Sequence, residues 1–376
     1  MDKGVVTVRP RLSARRWTVA GAGLMAGSLA LAACGSGSSG AGSSSTTSGG
    51  GKVGVSLILK TLSNPYFVSM EKDAKAEAAK DGVNLTVAAG KSDGDTQTQI
   101  SAIDNAISRG DKGILITING DAVNTELAKA KKAGLFIIAL DTVPTPPSTV
   151  DVTYATDNEQ AGKLIGQYTA AKLDGKKAVV AMLDLFNNQV VSVDIARDHG
   201  FLEGLGIDPG SKTQNGQEAK SGKYTGGKGG DYVIACHQPT QGAIPGGKTA
   251  MENCLSANPD INVVYTINEP AADGAHQALA AAGKKDVTIV TIDGSCSYVK
   301  GLLKDGTIAA DSAQYPGKMA SQGVKAIADL AKGGPKPTLP DGQQFINTGT
   351  ALVTANALTG IDSQTPDTAA GACWGS

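Results

Sequence analysis

The chain has few aromatic residues, few histidines and none of the motifs typical of common hydrolases. Phe, Trp and Tyr make up 4% of its 376 residues, and the three histidines are scattered at His199, His237 and His276. Neither the GxSxG pattern of a nucleophile elbow nor the HExxH pattern of a metalloprotease occurs. The sequence thus lacks the usual signatures of nucleophilic and metal-dependent hydrolysis, and its few aromatic residues become informative.

The N terminus predicts export. Residues 1–33 carry five basic side chains followed by a weakly apolar stretch that is too short and Gly-rich for a lasting membrane span. Leu31-Ala32-Ala33-Cys34 resembles the lipobox of bacterial lipoproteins, so we predict cleavage of a signal peptide and lipid attachment at Cys34. The alternative is an ordinary signal peptide with an incidental cysteine. Sec export is favoured over twin-arginine export, because the residues around Arg15-Arg16 fit the latter poorly.

Residues 34–51 contain Cys34 and a run of Gly, Ser, Ala and Thr, which predicts a tether. Removing residues 1–33 leaves 29 Lys and Arg against 34 Asp and Glu, a net charge of −5. Such a balance favours neither nucleic acid nor an anionic bilayer as a partner. The remaining residues suffice for two domains.

The cysteines other than Cys34 have the right number for two disulfides in an oxidising compartment. Three pairings are possible. We favour Cys236 with Cys254, which closes a short loop, and Cys296 with Cys373, which fastens the C-terminal tail. A zinc site is the less favoured alternative, because no paired CxxC or HxxxH spacing occurs.

From Lys52 onward, short β-branched runs alternate with Ala- and Lys-rich helical stretches. Continuous apolar strands separated by helices predict parallel sheets covered on both faces, and the pattern repeats after Asp157. We therefore predict an α/β fold with one doubly wound sheet in each half. The predicted strands are 53–59, 83–88, 113–117, 135–140, 177–183, 232–236, 262–267 and 287–292.

Polar and aromatic residues follow these strands. Open α/β sheets bind ligands beyond the carboxyl ends of their strands, and amides, carboxylates and aromatic faces together suit sugar hydroxyls and ring C–H groups. The candidates are Asn64, Tyr66 and Phe67 after the first strand, Asn119 after the third, Asp141 after the fourth, and Asn268 and Asp293 in the second half. Simpler roles stay open: Asn64 caps a helix, the aspartates cap turns, and Tyr66 or Phe67 is part of the core.

The order of these motifs resembles the type I periplasmic sugar-binding proteins, the ribose-binding group. The resemblance covers about residues 52–353. It rests on Asn64-Pro65-Tyr66-Phe67, Asn119-Gly120-Asp121-Ala122-Val123, Ala139-Leu140-Asp141, Arg197-Asp198-His199-Gly200-Phe201, Thr266-Ile267-Asn268-Glu269, Ile292-Asp293-Gly294 and Ala313-Gln314-Tyr315-Pro316.

The resemblance implies two Rossmann-like lobes, residues 52–155 with 315–346 and residues 156–314 with 347–376, joined by a three-segment hinge. It implies an extracytoplasmic, monomeric subunit that captures a fructose- or ribose-like monosaccharide for an ABC permease, without enzyme activity, cofactor or metal. Arg197 would be a donor fork to sugar oxygens, with helix packing as its alternative role. Gln314 would lie at the hinge.

Two departures from the family pattern affect the expected specificity. Thr142 follows Asp141 where the family often has arginine, and His237-Gln238-Pro239 replaces an expected aromatic residue. Phe186 is a substitute stacking surface, or alternatively part of the core. These changes argue against simple ribose specificity.

Parts of the sequence also fit three other functions. The same lobes suit a sugar-sensing input to a chemoreceptor or kinase, and Asp141 with Asp293 could serve a carbohydrate hydrolase. Residues 242–249 satisfy the GxxxxGK[ST] pattern of a phosphate-binding loop, but they do not follow the predicted strand directly. We interpret them as a Gly-rich turn that leads into a helix.

Overall fold

Short apolar strands alternate with helices along residues 52–375, the part of the chain that the computed structural model describes. The predicted signal peptide, Cys34 and the tether lie outside these residues. No helix within 52–375 has the length and apolarity needed to cross a bilayer.

The strands are β1 Gly54–Leu59, β2 Asn84–Ala89, β3 Gly113–Ile116, β4 Phe136–Leu140, β5 Val152–Ala155, β6 Ala178–Asp184, β7 Ser221–Tyr224, β8 Gly230–Pro239, β9 Val263–Thr266, β10 Thr288–Asp293, β11 Ala310–Ala313, β12 Ile346–Asn347 and β13 Ala351–Val353. The helices are α1 Pro65–Asp81, α2 Thr96–Arg109, α3 Asn124–Lys132, α4 Asn158–Leu173, α5 Ser192–Leu205, α6 Ile244–Ala257, α7 Glu269–Ala281, α8 Pro316–Ala331 and α9 Pro366–Ala369.

Local signals in the sequence set the ends of α1. The side chain of Asn64 accepts a hydrogen bond from the backbone N–H of Tyr66, and Pro65 fills the first helical position, where no N–H is needed. Gly82 ends the helix with a φ of 72°, a left-handed conformation that glycine adopts at no steric cost. The predicted capping role of Asn64 is therefore confirmed.

The strands form two sheets. The first has the order β12-β5-β4-β3-β1-β2 and is parallel throughout. The second has the order β13-β11-β10-β9-β6-β8-β7, in which the edge strands β7 and β13 are antiparallel to their neighbours. The predicted α/β fold with two doubly wound sheets is confirmed. The second sheet is mixed rather than purely parallel, because β7 joins β8 through a short turn and β13 enters the sheet from the first lobe.

Helices cover both faces of each sheet. Successive residues of β1 point to opposite faces, so that Leu57 joins the core beneath α1 and α8, whereas Ile58 joins the core beneath α2 and α3. Likewise Val180 and Ala181 of β6 face the α4–α5 core and the α6–α7 core, respectively. We call the first sheet with α1, α2, α3 and α8 the first lobe, and the second sheet with α4 to α7 and α9 the second lobe.

The chain crosses between the lobes three times. The crossings follow β5, β11 and β12, and the second one contains Gln314. Trp374 forms a further contact between the lobes: its ring packs edge-on against Tyr66, and its Nε1–H donates to the backbone carbonyl of Asp293. The structure contains both favoured disulfides, Cys236–Cys254 and Cys296–Cys373, and the second of them fastens the segment that carries Trp374.

Candidate functional site

A buried cavity of about 30 Å³ lies where the carboxyl ends of the two sheets face each other. This volume holds one or two water molecules. The first sheet contains the order β2-β1-β3-β4-β5 and the second the equivalent order β8-β6-β9-β10-β11. In such sheets a ligand binds where the strand order reverses, beside β1 and β3 in the first sheet and beside β6 and β9 in the second. The lining residues are Lys60, Asn64, Tyr66, Phe67, Asp93, Asp141, Leu185, Val193, Arg197, Ile267, Asn268, Asp293 and Gln314.

Asp141 is the central acceptor of the first lobe. It follows β4 with a φ of 68°, a left-handed conformation that Asp tolerates better than most residues and that turns its carboxylate into the cavity. Its Oδ1 accepts from the Tyr66 hydroxyl at 3.2 Å, and its Oδ2 accepts from the Thr142 hydroxyl at 2.9 Å. The ammonium of Lys60 lies 3.5 Å from Oδ2 and balances the buried charge.

Two aromatic rings at the start of α1 form the apolar wall of the cavity. The rings of Tyr66 and Phe67 meet edge to face, with their centroids 5.3 Å apart. Burial raises the pKa of the Tyr66 phenol well above its ordinary value, and the charges of Asp141 and Asp293 add to this rise. Tyr66 therefore acts as a hydrogen-bond donor, while the Phe67 ring is available to cover the C–H face of a ligand.

Arg197 is the central donor of the second lobe. Its Nε donates to Asn158 Oδ1 and its Nη1 to the carbonyl of Ile267, both at 2.8 Å, so that the guanidinium is held in one orientation. Its terminal nitrogens lie 4.0 Å from Asp141 and 3.9 Å from Asp293. These distances are too long for hydrogen bonds. Arg197 thus faces both carboxylates across the cavity and keeps donor capacity for a ligand oxygen.

Asp293 and Gln314 form a pair next to Arg197. Asp293 Oδ1 accepts from Gln314 Nε2 at 2.8 Å, while Gln314 Oε1 accepts from the Tyr66 hydroxyl at 3.4 Å. Burial raises the pKa of Asp293 to about 7, although the Arg197 guanidinium opposes the rise. This network connects α1 of the first lobe to β10 of the second through the crossing segment at Gln314.

Asn268 and Asp93 complete the polar wall from opposite lobes. Asn268 caps α7 through its Oδ1, which accepts from the N–H of Ala271, and its Nδ2 donates to the carbonyl of Gly242. Asp93 lies after β2. Burial raises the pKa of Asp93 to about 6, against the opposing charge of Lys60.

Eight of the ten residues proposed from the sequence as ligand contacts line this cavity, and Asn119 and Phe186 do not. The side-chain amide of Asn119 is used within the first lobe: it accepts from the N–H of Gly94 and donates to the carbonyls of Lys60 and Asp95. The ring of Phe186 packs beside the small core around Leu185. In the described conformation Asn119 positions its loop and Phe186 packs beside the core, and their roles as ligand contacts stay predictions.

Lys60 and Asp93 also line the cavity but are not among the residues predicted from the sequence. Lys60 directly follows β1 and Asp93 lies shortly after β2, so the rule that picks residues beyond strand ends would have found both. Lys60 was not predicted because a lysine after an apolar run usually marks a strand end that is exposed to solvent. Its ion pair with Asp141 is visible only in the structure.

A larger cavity of about 320 Å³ adjoins the first, with Asn64 and Asp93 in both linings. The glycine-rich segment 242–249 contributes to its wall and leads into α6, as predicted. β8 extends to Pro239, three residues beyond the predicted strand end. A Cβ on Gly246 would lie 1.8 Å from the carbonyl oxygen of Thr240, and one on Gly247 would lie 2.2 Å from that of Ala271. Close backbone packing therefore accounts for these glycines.

Comparison with known proteins assigns this architecture. A family model of the periplasmic binding protein domain matches residues 55–335. The ribose import binding protein of Salmonella typhimurium is 32% identical over 280 residues, which cover 74% of this chain and 85% of that protein. The D-allose-binding periplasmic protein of Escherichia coli is 25% identical over 307 residues, 80% of this chain and 91% of that protein.

Solved structures agree in fold. A periplasmic solute-binding protein of an ABC transporter from Actinobacillus succinogenes, crystallised with D-allose, superposes with a TM-score of 0.66 at 23% identity and covers 81% of this chain and 98% of its own. The family match, the identity to the Salmonella protein and the two-lobed architecture agree with one another. The chain belongs to the periplasmic binding proteins, among the type I sugar-binding members of that family.

Proposed function

We propose that this protein captures a monosaccharide between its two lobes and delivers it to an ABC importer. The observation that carries the proposal is the buried Arg197 guanidinium, which faces Asp141 of the first lobe and Asp293 of the second at about 4 Å without hydrogen-bonding to either. A donor held between two acceptors from different lobes suits a ligand with hydroxyl groups on several sides.

The ligand class follows from the cavity lining and from the relatives. Three carboxylates, two cations and three amides offer donors and acceptors for several hydroxyls, and Phe67 offers an apolar face. The relatives are named for ribose and D-allose. We propose a fructose- or ribose-like monosaccharide, with the eight cavity residues from the sequence analysis, Lys60 and Asp93 as contacts.

Binding requires movement of the lobes. A space for one or two water molecules is too small for a sugar, so the described cleft is closed more tightly than a cleft that holds the ligand. We propose that residues 52–155 with 315–346 and residues 156–314 with 347–376 separate about the three crossings, and that the adjoining cavity of about 320 Å³ marks the way in. A permease can then distinguish the closed, loaded protein from the open, empty one.

As a member of this family the protein is exported and acts outside the cytoplasm. We further propose that it works as a monomer, and that lipid on Cys34 holds it at the outer face of the membrane. Mass spectrometry of the mature protein tests the anchor: we expect an N-terminal, diacylated Cys34, and an unmodified residue at another start site would contradict the proposal. Family members are sugar-binding transport proteins rather than enzymes, so the hydrolase alternative is set aside.

Calorimetric titration tests the function. The purified protein, with its disulfides oxidised, is titrated with ribose, allose, fructose, xylose, glucose, galactose and inositol, and the bound sugar is recovered for analysis. We expect one of them to bind with a dissociation constant near 1 µM, roughly −8 kcal/mol, and to be recovered unchanged. Absence of binding across the panel, or recovery of a cleaved product, would contradict the proposal.

Fluorescence provides a second readout. The chain has two tryptophans, Trp17 and Trp374, and cleavage of the signal peptide leaves Trp374 alone. Because its ring packs against Tyr66 of the cavity wall, closure on a sugar should change its emission. A sugar that binds by calorimetry without changing the emission would argue for binding elsewhere.

A further inference from the structure

A second group of buried ionisable side chains lies in the second lobe, apart from the sugar cavity. Asp184 ends β6, Asp198 is on α5, His237 is on β8 and Glu218 lies in the connection that precedes β7. The Asp198 side chain is fully buried, those of Asp184 and Glu218 are nearly so, and 23% of the His237 side chain is exposed. None of the four lines the sugar cavity.

These side chains converge on one point. Nδ1 of His237 lies 2.7 Å from Asp184 Oδ2 and 4.0 Å from Asp198 Oδ2, and one ligand atom from each of the three residues lies within 4.8 Å of the others. In a tetrahedral zinc site with ligand bonds of 2.0–2.1 Å, neighbouring ligand atoms are about 3.3 Å apart. Shifts of less than 1 Å would therefore bring the three atoms to the spacing of such a site.

The cluster contains buried acceptors that lack donors. Within residues 52–375, neither oxygen of Asp198 accepts a hydrogen bond, and Asp184 Oδ1 and Glu218 Oε2 have no partner either. The Asp198 carboxyl instead faces the carboxyl of Asp184. A buried carboxylate that accepts no hydrogen bond is costly, and the Asp198 carboxyl also faces that of Asp184, so a cation between the two would stabilise them.

The charges of the surroundings point the same way. Four carboxylates lie together here, those of Asp184, Asp198 and Glu218 and that of Asp194 one turn before Asp198 on α5. His237 is the cation that pairs with them directly. Arg197 lies near Asp194 but also serves Asp141 and Asp293 in the cavity. The acidic groups thus exceed the positive ones.

We propose that Asp184, Asp198 and Nδ1 of His237 bind one Zn²⁺ ion. Carboxylate oxygens and an imidazole nitrogen form a ligand set that Zn²⁺ accepts, and water can supply the fourth ligand. The ion would replace the proton between Nδ1 and Asp184 Oδ2, and that proton would be released to solvent. Nε2 of His237 lies 2.8 Å from Glu218 Oε1, so the other ring nitrogen donates to a carboxylate, the arrangement that orients ligating histidines in metal sites. The partial exposure of His237 gives the ion access from solvent.

The ion would join three elements next to the sugar cavity. It would fix the C-terminal ends of β6 and β8 and helix α5 relative to one another, and Glu218 adds the connection that precedes β7. Arg197, the donor of the cavity, is the neighbour of Asp198 on α5. The site is therefore structural, and it supports the helix that carries a sugar contact without contacting the sugar.

Zinc titration of the full chain, purified without an affinity tag and stripped with a chelator, tests the proposal. With ZnCl₂ as the probe, calorimetry should give one ion per chain together with a higher melting temperature. Asp198→Asn and His237→Gln should each weaken binding at least 100-fold. Glu218→Gln, which removes only the partner of Nε2, should weaken it by about 10- to 100-fold.

His276→Gln is the matched control, since His276 is a partly buried histidine on α7, outside the cluster. It should leave zinc binding unchanged. If His237→Gln fails to fold, the isosteric Asp198→Asn decides the question, because it retains the shape of the side chain and removes one of two facing carboxylates. Failure of the unmodified protein to bind ZnCl₂, or undiminished binding by Asp198→Asn, would overturn the proposal.

Discussion

Replacing Asp141 with asparagine should weaken sugar binding without unfolding the protein. Asparagine has the same shape and also tolerates the left-handed conformation at this position, φ 68°, whereas alanine would add a backbone cost to the loss of the carboxylate. The variant keeps an oxygen that can accept from Tyr66 or Thr142 and loses the negative charge that faces Lys60 and Arg197.

The magnitude follows from the hydrogen bonds that a sugar would make to this carboxylate. A hydrogen bond to a charged group contributes about 1.5–3 kcal/mol, and each 1.4 kcal/mol changes a dissociation constant tenfold. Loss of one such bond weakens binding by about 10- to 100-fold. The Lys60 ammonium, 3.5 Å away, would also lose its counter-charge inside the cleft.

Calorimetry measures the affinity, and emission from Trp374 provides an independent check. Asp174→Asn is the matched control, because Asp174 also has a positive φ, 51°, but is exposed and pairs with Lys228 at the surface. The control should bind the sugar as the unmodified protein does. If Asp141→Asn binds within twofold of the unmodified protein at an unchanged melting temperature, Asp141 is not a ligand contact.

Three further outcomes are expected. Gly200→Ala should lower the free energy of unfolding by about 3 kcal/mol, because the new Cβ would lie 2.1 Å from a backbone oxygen of α4. Gly301→Ala is the control: its Cβ meets no described atom within 4 Å, so the free energy of unfolding should change by less than about 0.5 kcal/mol. Denaturant titration measures both variants. Serine at both Cys296 and Cys373, 77 residues apart, should cost about 4 kcal/mol in the same assay. Burial raises the pKa of Asp293 from 3.8 to about 7, so the folded protein binds this proton more tightly than the unfolded chain does. The resulting stabilisation is complete below pH 3.8 and is lost as the pH rises through 7. The melting temperature should therefore fall between pH 5 and pH 8, and it should fall less steeply in Asp293→Asn.

The sequence predicts the fold and much of the site because both depend on repeated local patterns. Apolar runs separated by helices define parallel strands, and the carboxyl ends of parallel strands share one edge of a sheet. Asp141 follows β4 and Asp293 ends β10, so their approach to a common cleft needs no knowledge of side-chain packing. The family resemblance adds Arg197 and Gln314, which lie on a helix and a crossing segment rather than at strand ends.

A polar side chain that follows a strand can instead form hydrogen bonds within its own lobe. Asn119 follows β3 as the rule requires, yet its amide holds the segment around Gly94 and Asp95. Lys60 shows the reverse case: its place in the site depends on a charge pair with Asp141, 81 positions later in the chain. Hydrogen-bond partners at such separations are set by tertiary packing, which a single sequence does not reveal.

Helix α5 connects the sugar cavity to the proposed zinc site. Arg197 points to the cavity and its neighbour Asp198 points to the cluster around His237. Glycines at the α4–α5 contact allow the two backbones to approach closely: a Cβ on Gly162 would lie 2.2 Å from the carbonyl oxygen of Arg197 itself. Because a hydrogen bond is sensitive to shifts of a few tenths of an ångström, a change at this contact or in the cluster would move the guanidinium relative to Asp141. Sugar affinity should therefore respond to substitutions in α4 that contact no ligand.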